Sequence, residues 1–139
     1  MIVIHHNPDC GTSRNVLRLI EAAGYNPIVI EYLKEGWTKP QLLALFAAAD
    51  LTPSTALRQT KSPAAELGLL EPNVKDDVIF EAMLKYPILV NRPIVCTKKG
   101  IKLCRPSEAV LELLEQWPSQ QFAKEDGELI IDSNGKRVI

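Results

Sequence analysis

The chain has 139 residues, 46% hydrophobic and 24% charged, which fits one globular domain and excludes a disordered tail or a multidomain assembly. Sixteen Lys and Arg against seventeen Asp and Glu leave a formal charge of -1 and a pI near 6.1. No global field therefore draws the chain to nucleic acid or an anionic membrane, and any bound anion must be caught locally.

From the N-terminus, Ile2 to His5 is a short β-branched run that predicts a buried strand. Thr12 to Ala23 carries Val16, Leu17, Ile20 and Ala23 at helical spacing before a Gly24 stop. Pro27-Ile28-Val29-Ile30 predicts a second strand, and Thr38 caps an amphipathic helix through Leu42, Phe46 and Ala49. Two short helices are expected behind Thr52-Pro53 and Ser62-Pro63, the second closed by Gly68, then a longer one from about Asp76 to Tyr86. Pro93 to Thr97 and Ile101 to Cys104 predict a hairpin across Lys98-Lys99-Gly100. With a two-residue turn at Lys99-Gly100, Cys96 lies opposite Leu103 and the two hairpin cysteines take opposite faces; a three-residue turn would put them on one face. Pro106 to Gln116 reads as a last helix with Val110, Leu111 and Leu114 inward. The polar tail after Trp117 includes Leu129-Ile130-Ile131, Asn134-Gly135 and Val138-Ile139, read as a satellite hairpin on the body. This order predicts an α/β fold: a thioredoxin-like mixed sheet with a helical insert at about 38–86 and a C-terminal hairpin flap, one domain over 1–139.

The first ten residues, MIVIHHNPDC, are too short in apolar character for a signal-peptide core, and no later run approaches a membrane span. A cytoplasmic location is expected. Three cysteines, Cys10, Cys96 and Cys104, are an odd number there and argue for reduced thiols.

Cys10 lies between a strand and a helix in His6-Asn7-Pro8-Asp9-Cys10-Gly11-Thr12-Ser13-Arg14. A thiolate at that point faces the free N–H groups and positive end of the helix, which lower its pKa and can also hold an oxyanion. Gly11 allows close backbone approach, Thr12 and Ser13 add hydroxyls, and Arg14 adds a fixed charge. The plain alternative is a buried cysteine before a hydroxyl-capped helix. A dithiol site would need cysteine at position 13, where Ser13 stands, and a Cys-x5-Arg phosphatase loop would need arginine where Val16 stands. Cys96 and Cys104 lack zinc-ligand spacing, so no metal is expected. A monothiol nucleophile at an anion site remains.

Arg58, Arg92 and Arg105 sit beside structural punctuation, and guanidinium forks suit tetrahedral oxyanions. Singly, each reads as a solvated surface residue. Arg92 has the stronger case, because Pro93 is the candidate for the cis-proline that a thioredoxin-like sheet sets opposite its cysteine. His5 and His6, adjacent in a strand, point to opposite faces. His6 reads equally well as a thiolate-stabilising group and as a polar strand end.

Together, His6 to Arg14, Ile88-Leu89-Val90-Asn91-Arg92-Pro93-Ile94-Val95 and Leu103-Cys104-Arg105-Pro106-Ser107-Glu108 resemble the glutaredoxin-coupled arsenate reductases, the thioredoxin-like ArsC family. The resemblance covers nearly the whole chain, including Lys124 to Glu128 and Gly135-Lys136-Arg137. It implies that Cys10 attacks arsenate, that Arg58, Arg92 and Arg105 bind the oxyanion and its thiol adducts, and that His6 activates the thiol with help from Ser13. It further implies glutathione as co-substrate, glutaredoxin as partner and no bound cofactor, with glutathione reducing As(V) to As(III) and glutaredoxin then taking the glutathione from the mixed adduct. Cys96 departs from the aliphatic residue expected there. Two other functions share such a fold: a thiol-stress regulator that binds RNA polymerase, and a glutathione-dependent thiol-transferase. The regulators carry a Cys-x-x-Cys switch and lack Cys104-Arg105-Pro106-Ser107.

Overall fold

Val3–His6 (β1) is the strand on which the four-stranded sheet is built, pairing in parallel with Ile28–Glu31 (β2) and antiparallel with Ile94–Thr97 (β3). Gly100–Leu103 (β4) completes the order β2-β1-β3-β4, a mixed sheet as expected. A parallel neighbour requires a crossover, and Gly11–Ala22 (α1) supplies it. Its apolar spacing buries Val16, Leu19 and Ile20. At its end Gly24, at φ 96°, donates to the Glu21 carbonyl while Tyr25 donates to Ile20, a Schellman closure that needs the left-handed backbone glycine tolerates. The computed structural model describes residues 1–139 and falls into two compact units, Met1–Glu31 with Arg92–Ile139, and Tyr32–Asn91.

Three sequence expectations within the first unit are corrected. The hairpin pairs Thr97 with Gly100 and Cys96 with Ile101, so its two-residue turn is Lys98-Lys99 and not Lys99-Gly100. Thr97 sets this register: its hydroxyl accepts from Lys99 N–H at 3.1 Å and donates to the Leu113 carbonyl at 2.8 Å. Cys96 and Cys104 still take opposite faces, and Cys104 joins the core with Ile4, Val16 and Val95. The last helix is 3-10 over Ser107–Leu113, not α-helical to Gln116. Side chains from elsewhere take the carbonyls a longer helix would use: Trp117 donates to Leu111, Thr97 to Leu113 and Lys99 to Leu114.

The C-terminal hairpin is present but is more than a satellite. Leu129–Ile131 (β6) pairs with Phe122–Ala123 (β5), a strand the polar sequence around it concealed, and Phe122, Ile130 and Ile131 pack into the main core. The Asn134-Gly135 turn returns the chain so that Asp132 donates to Lys136 and Val138 to Ile130.

In the second unit, Tyr32–Glu35 (α2) leads into Lys39–Ala48 (α3), where Thr38 and Gln41 form a reciprocal capping box. Asp76–Lys85 (α4) follows, and a 3-10 turn over Pro87–Leu89 returns the chain. The expected short helices at Thr52-Pro53 and Ser62-Pro63 are turns. The first has one helical closure, Ala56 to Thr52; the second has Leu67 to Pro63 and is closed at the expected Gly68 by Gly68 to Ala65 and Leu69 to Ala64. Neither extends further, because one turn hardly offsets the cost of nucleation and local hydroxyls compete for the backbone. Tyr32 stacks on Trp37 at 5.1 Å and Phe46 meets Phe80 edge-on at 6.2 Å, which fastens α2 and α3 into this unit's own apolar centre.

Candidate active site

The segment between β1 and α1 is a hydrogen-bonded turn built on Asn7, which is buried. Its side-chain oxygen accepts from Asp9 N–H at 2.9 Å and its carbonyl accepts from Cys10 N–H at 3.1 Å, an Asx turn that delivers Cys10 to the helix start. Cys10 is the N-cap residue, with extended backbone, and is 6% exposed. No hydroxyl caps this helix. No side-chain hydrogen bond from Cys10 caps it either; the sulfur lies at the N-cap position, where the Ser13 amide favours its anion.

Two guanidinium groups complete the surroundings of the thiol. Arg105 Nη1 lies 3.7 Å from Cys10 Sγ and donates to the Arg92 carbonyl at 3.1 Å. The peptide bonds Arg92-Pro93 and Arg105-Pro106 are both cis. Burial opposes ionisation of Cys10, but the Ser13 amide, the Arg92 charge and hydrogen bond, and the Arg105 hydrogen bond outweigh it and hold the thiol below its ordinary value. Burial alone pushes Cys96 up, and it pushes Cys104 up to about 12.

His6 meets Ser13 through Nδ1 and Oγ at 2.6 Å, and Ser13 Oγ also accepts from Asn7 N–H at 3.1 Å. Burial lowers the His6 pKa, with Glu31 and Glu21 opposing and Arg14 adding to the effect. A neutral His6 reaches the thiol through Ser13 and not as a cation. His5, on the other face, is held to about 4 by burial.

Gly11 opens α1, and a Cβ there would meet Arg14 Nη2 at 3.7 Å and Glu125 Oε1 at 3.8 Å, ordinary contacts. The fold therefore tolerates alanine at this position. Thr12 accepts from Ser107 Oγ through its carbonyl at 3.5 Å. Arg58 belongs to the second unit and is buried, its backbone N–H on the Leu89 carbonyl and its Nε on the Thr60 carbonyl. Its burial differs from the solvated reading of a lone surface arginine.

Three residues of this neighbourhood escaped sequence reasoning as site components. Asn7 was legible in principle, since Asn-Pro-Asp before a helix is turn chemistry. Asn15 and Glu125 were not, because Asn15 accepts from the Glu125 backbone N–H at 2.9 Å across 110 residues, and Glu125 holds Arg14 through bonds of 2.8 and 3.0 Å.

The model of the ArsC family matches residues 5–113. Arsenate reductase ArsI2 of Synechocystis sp. is 78% identical over 138 residues, covering 99% of both chains. Arsenate reductase of Escherichia coli is 47% identical over 137 residues, covering 99% of this chain and 97% of that one. Among solved structures, an arsenate reductase from Vibrio cholerae superposes with a TM-score of 0.75 at 37% identity, over 81% of this chain and 97% of that chain. With a cysteine loop, a mixed sheet and near full-length similarity all in agreement, the chain belongs to the ArsC family.

Proposed function

We propose that the chain, acting as one domain, reduces arsenate to arsenite through a covalent adduct on Cys10, which glutathione and glutaredoxin resolve. The observation that carries this reading is a buried thiol at a helix N-cap position, with the Ser13 amide and the Arg92 and Arg105 guanidinium groups favouring its anion and no second cysteine at position 13. Such a group is ionised more readily than an ordinary thiol and sits where negative charge is favoured.

In this scheme Arg92, Arg105 and Arg58 hold the oxyanion, with Gly11 and Thr12 lining the first turn. The Cys10 thiolate attacks arsenic, forming a sulfur–arsenic bond as an oxygen leaves as water or hydroxide. His6 and Ser13 orient the loop and the amide that faces the sulfur. The glutathione thiolate then adds to arsenic and a second hydroxide leaves. Glutaredoxin attacks the glutathione sulfur, and the electron pair of the broken arsenic–sulfur bond stays on arsenic, so As(V) becomes As(III) at this step and not, as expected from the resemblance, when glutathione adds. Hydrolysis of the remaining bond releases arsenite and returns Cys10. Ser13 explains the external thiols: with a hydroxyl in place of a resolving thiol, no local disulfide can form.

The reading calls for no bound cofactor and for a cytoplasmic setting, where reduced thiols are available; no helix is long and apolar enough to cross a membrane. The polymerase-binding regulator is disfavoured by Ser13. Arsenite production from arsenate with glutathione and glutaredoxin supplied or withheld tests the proposal: production should need both. Folded protein that makes no arsenite with both present would overturn it.

A further inference from the structure

Beyond Cys10 and its arginines, the most organised polar cluster in the first unit joins the start of α1 to the tail. Arg14 Nε and Nη2 donate to the two oxygens of Glu125 at 2.8 and 3.0 Å, and Nη1 donates to the Pro8 carbonyl at 2.8 Å. Exposed ion pairs usually contribute little because two long side chains must be ordered for one contact. Here the ordering is already done by other bonds. The Glu125 backbone is fixed to buried Asn15, and neighbouring Lys124 pairs with Glu108 at 3.0 Å and Glu128 at 2.7 Å, with Lys124 and Glu108 side chains only 13% and 12% exposed. The carboxylate is thus held beside a turn whose helix dipole and arginines attract anions.

The pair borders that turn, since a Cβ on Gly11 would touch both Arg14 Nη2 and Glu125 Oε1. Three of the five guanidinium N–H groups are committed to Glu125 and Pro8, which leaves two for another acceptor. A carboxylate beside an anion site opposes an incoming anion, and a guanidinium assists it; the balance depends on both being fixed.

We propose that Glu125 is a positioning residue of the Cys10 site: it aims the Arg14 guanidinium along the first turn of α1 and offsets part of its charge, so that a residue of the C-terminal tail sets the anion affinity of that turn. The inference rests on Cys10 being the reactive thiol of the proposed function. The charged and titratable groups facing the pair and the thiol are His6 from β1, Asp9 from the turn, Arg18 from α1, and Arg92 and Arg105 from the ends of the hairpin. Glu125 and Arg14 hold each other's ionised forms, and Arg14 and Cys10 interact through charge.

The test is the pH dependence of Cys10 alkylation by iodoacetamide, followed by mass spectrometry, in full-length Glu125→Gln, Arg14→Ala and Arg14→Lys proteins. Inorganic phosphate is added as a protecting anion in a second series. Glu125→Gln, which keeps a hydrogen-bonding group but removes the charge, should lower the Cys10 midpoint by about half a unit, an effect of one charge across a partly solvated gap. Phosphate should then protect at a concentration about threefold lower. Arg14→Ala should move both the other way, and Arg14→Lys should stay near the parent because it keeps the charge. A folded Glu125→Gln or Arg14→Ala protein with the parent's midpoint would overturn the proposal, even if its melting temperature fell, because a strap that is only structural leaves the thiol untouched. None of these readouts uses arsenate, so a chain that makes no arsenite but shows these shifts would overturn the reductase reading alone.

Discussion

Cys10 and Cys104 are both buried, 6% and 0% exposed, yet the first thiol is held below its ordinary value and the second is pushed up to about 12. Cys104 lies deeper, so its ionisation costs more, and what points at the two sulfurs differs as well. Cys104 belongs to the apolar core that also holds Ile4, Val16, Val95 and Val110, and its thiol donates to the Lys102 carbonyl at 3.7 Å, which favours the neutral form. Around Cys10 are an amide and two guanidinium groups, all of which favour the anion. Burial alone makes a cysteine inert; burial among donors makes it a nucleophile.

The comparison is broken most directly by exchanging the sulfur. Cys10→Ser should remove turnover, since a hydroxyl at that site is hardly ionised, whereas Cys104→Ser and Cys96→Ser should keep most of it. Cys104→Ser should cost stability of about 1–2 kcal/mol, because it puts a more polar group into an apolar site. Arsenite assays and chemical denaturation report the two halves of this expectation. A folded and inactive Cys96→Ser or Cys104→Ser protein would contradict the single-thiol scheme.

Next in size is reactivity in the unmodified protein. At neutral pH, iodoacetamide should label Cys10 and leave Cys104 essentially unlabelled, since the first thiol is held below its ordinary value and the second is fully buried and pushed up to about 12. Peptide mass spectrometry reads this difference, and unfolding in denaturant should erase it. The Cys10 rate should hold as pH drops below the range of a free thiol and fall only as its own depressed midpoint is crossed.

Removing the donors tests the cause. Arg92→Ala and Arg105→Ala should each lose roughly 3 kcal/mol of transition-state stabilisation, about a hundredfold in kcat/KM, and should raise the Cys10 midpoint. Lysine should restore the charge but not the fork, and so rescue only in part. Full activity in both alanine variants would remove these residues from the site.

The smallest expected effect concerns His5, the buried imidazole on the opposite face of β1 from His6. His5 is 4% exposed and held to about 4, so the folded chain keeps it neutral while the unfolded chain protonates it in the ordinary imidazole range. Its contribution is therefore present above that range and is lost as pH falls toward about 4. Melting temperature should decline over that interval, and His5→Gln should flatten the decline. An unchanged slope would mean that another group governs acid stability.

Local chemistry was readable from the sequence wherever it was decided locally. Val16, Ile20 and Ala23 face inward as their helical spacing required, although Leu19 and not Leu17 completes the fully buried stripe, and Thr38 caps α3 as expected. The errors lie where distant residues decide. The hairpin turn sits at Lys98-Lys99 because Thr97 is engaged by Leu113, and the final helix tightens to 3-10 because Trp117, Thr97 and Lys99 take its carbonyls. Phe122–Ala123 is too short to show alternation, so its pairing with Leu129–Ile131 had no sequence signal. In the site, the arginines beside Pro93 and Pro106 were legible from their punctuation. Glu125 was not, because no local pattern marks a carboxylate whose partner is 111 residues away.

The distances along the chain between Cys10 and its stabilising groups have a consequence for synthesis. Arg105 reaches Cys10 across 95 residues and Glu125 reaches Arg14 across 111, so the groups that acidify and flank the thiol are among the later ones to be translated. A nascent chain on the ribosome carries Cys10 without its two guanidinium partners for most of its elongation. The Ser13 amide is available as soon as α1 forms, but the full set of groups that favour the anion is assembled only when β3 and β4 have closed on β1 and α1.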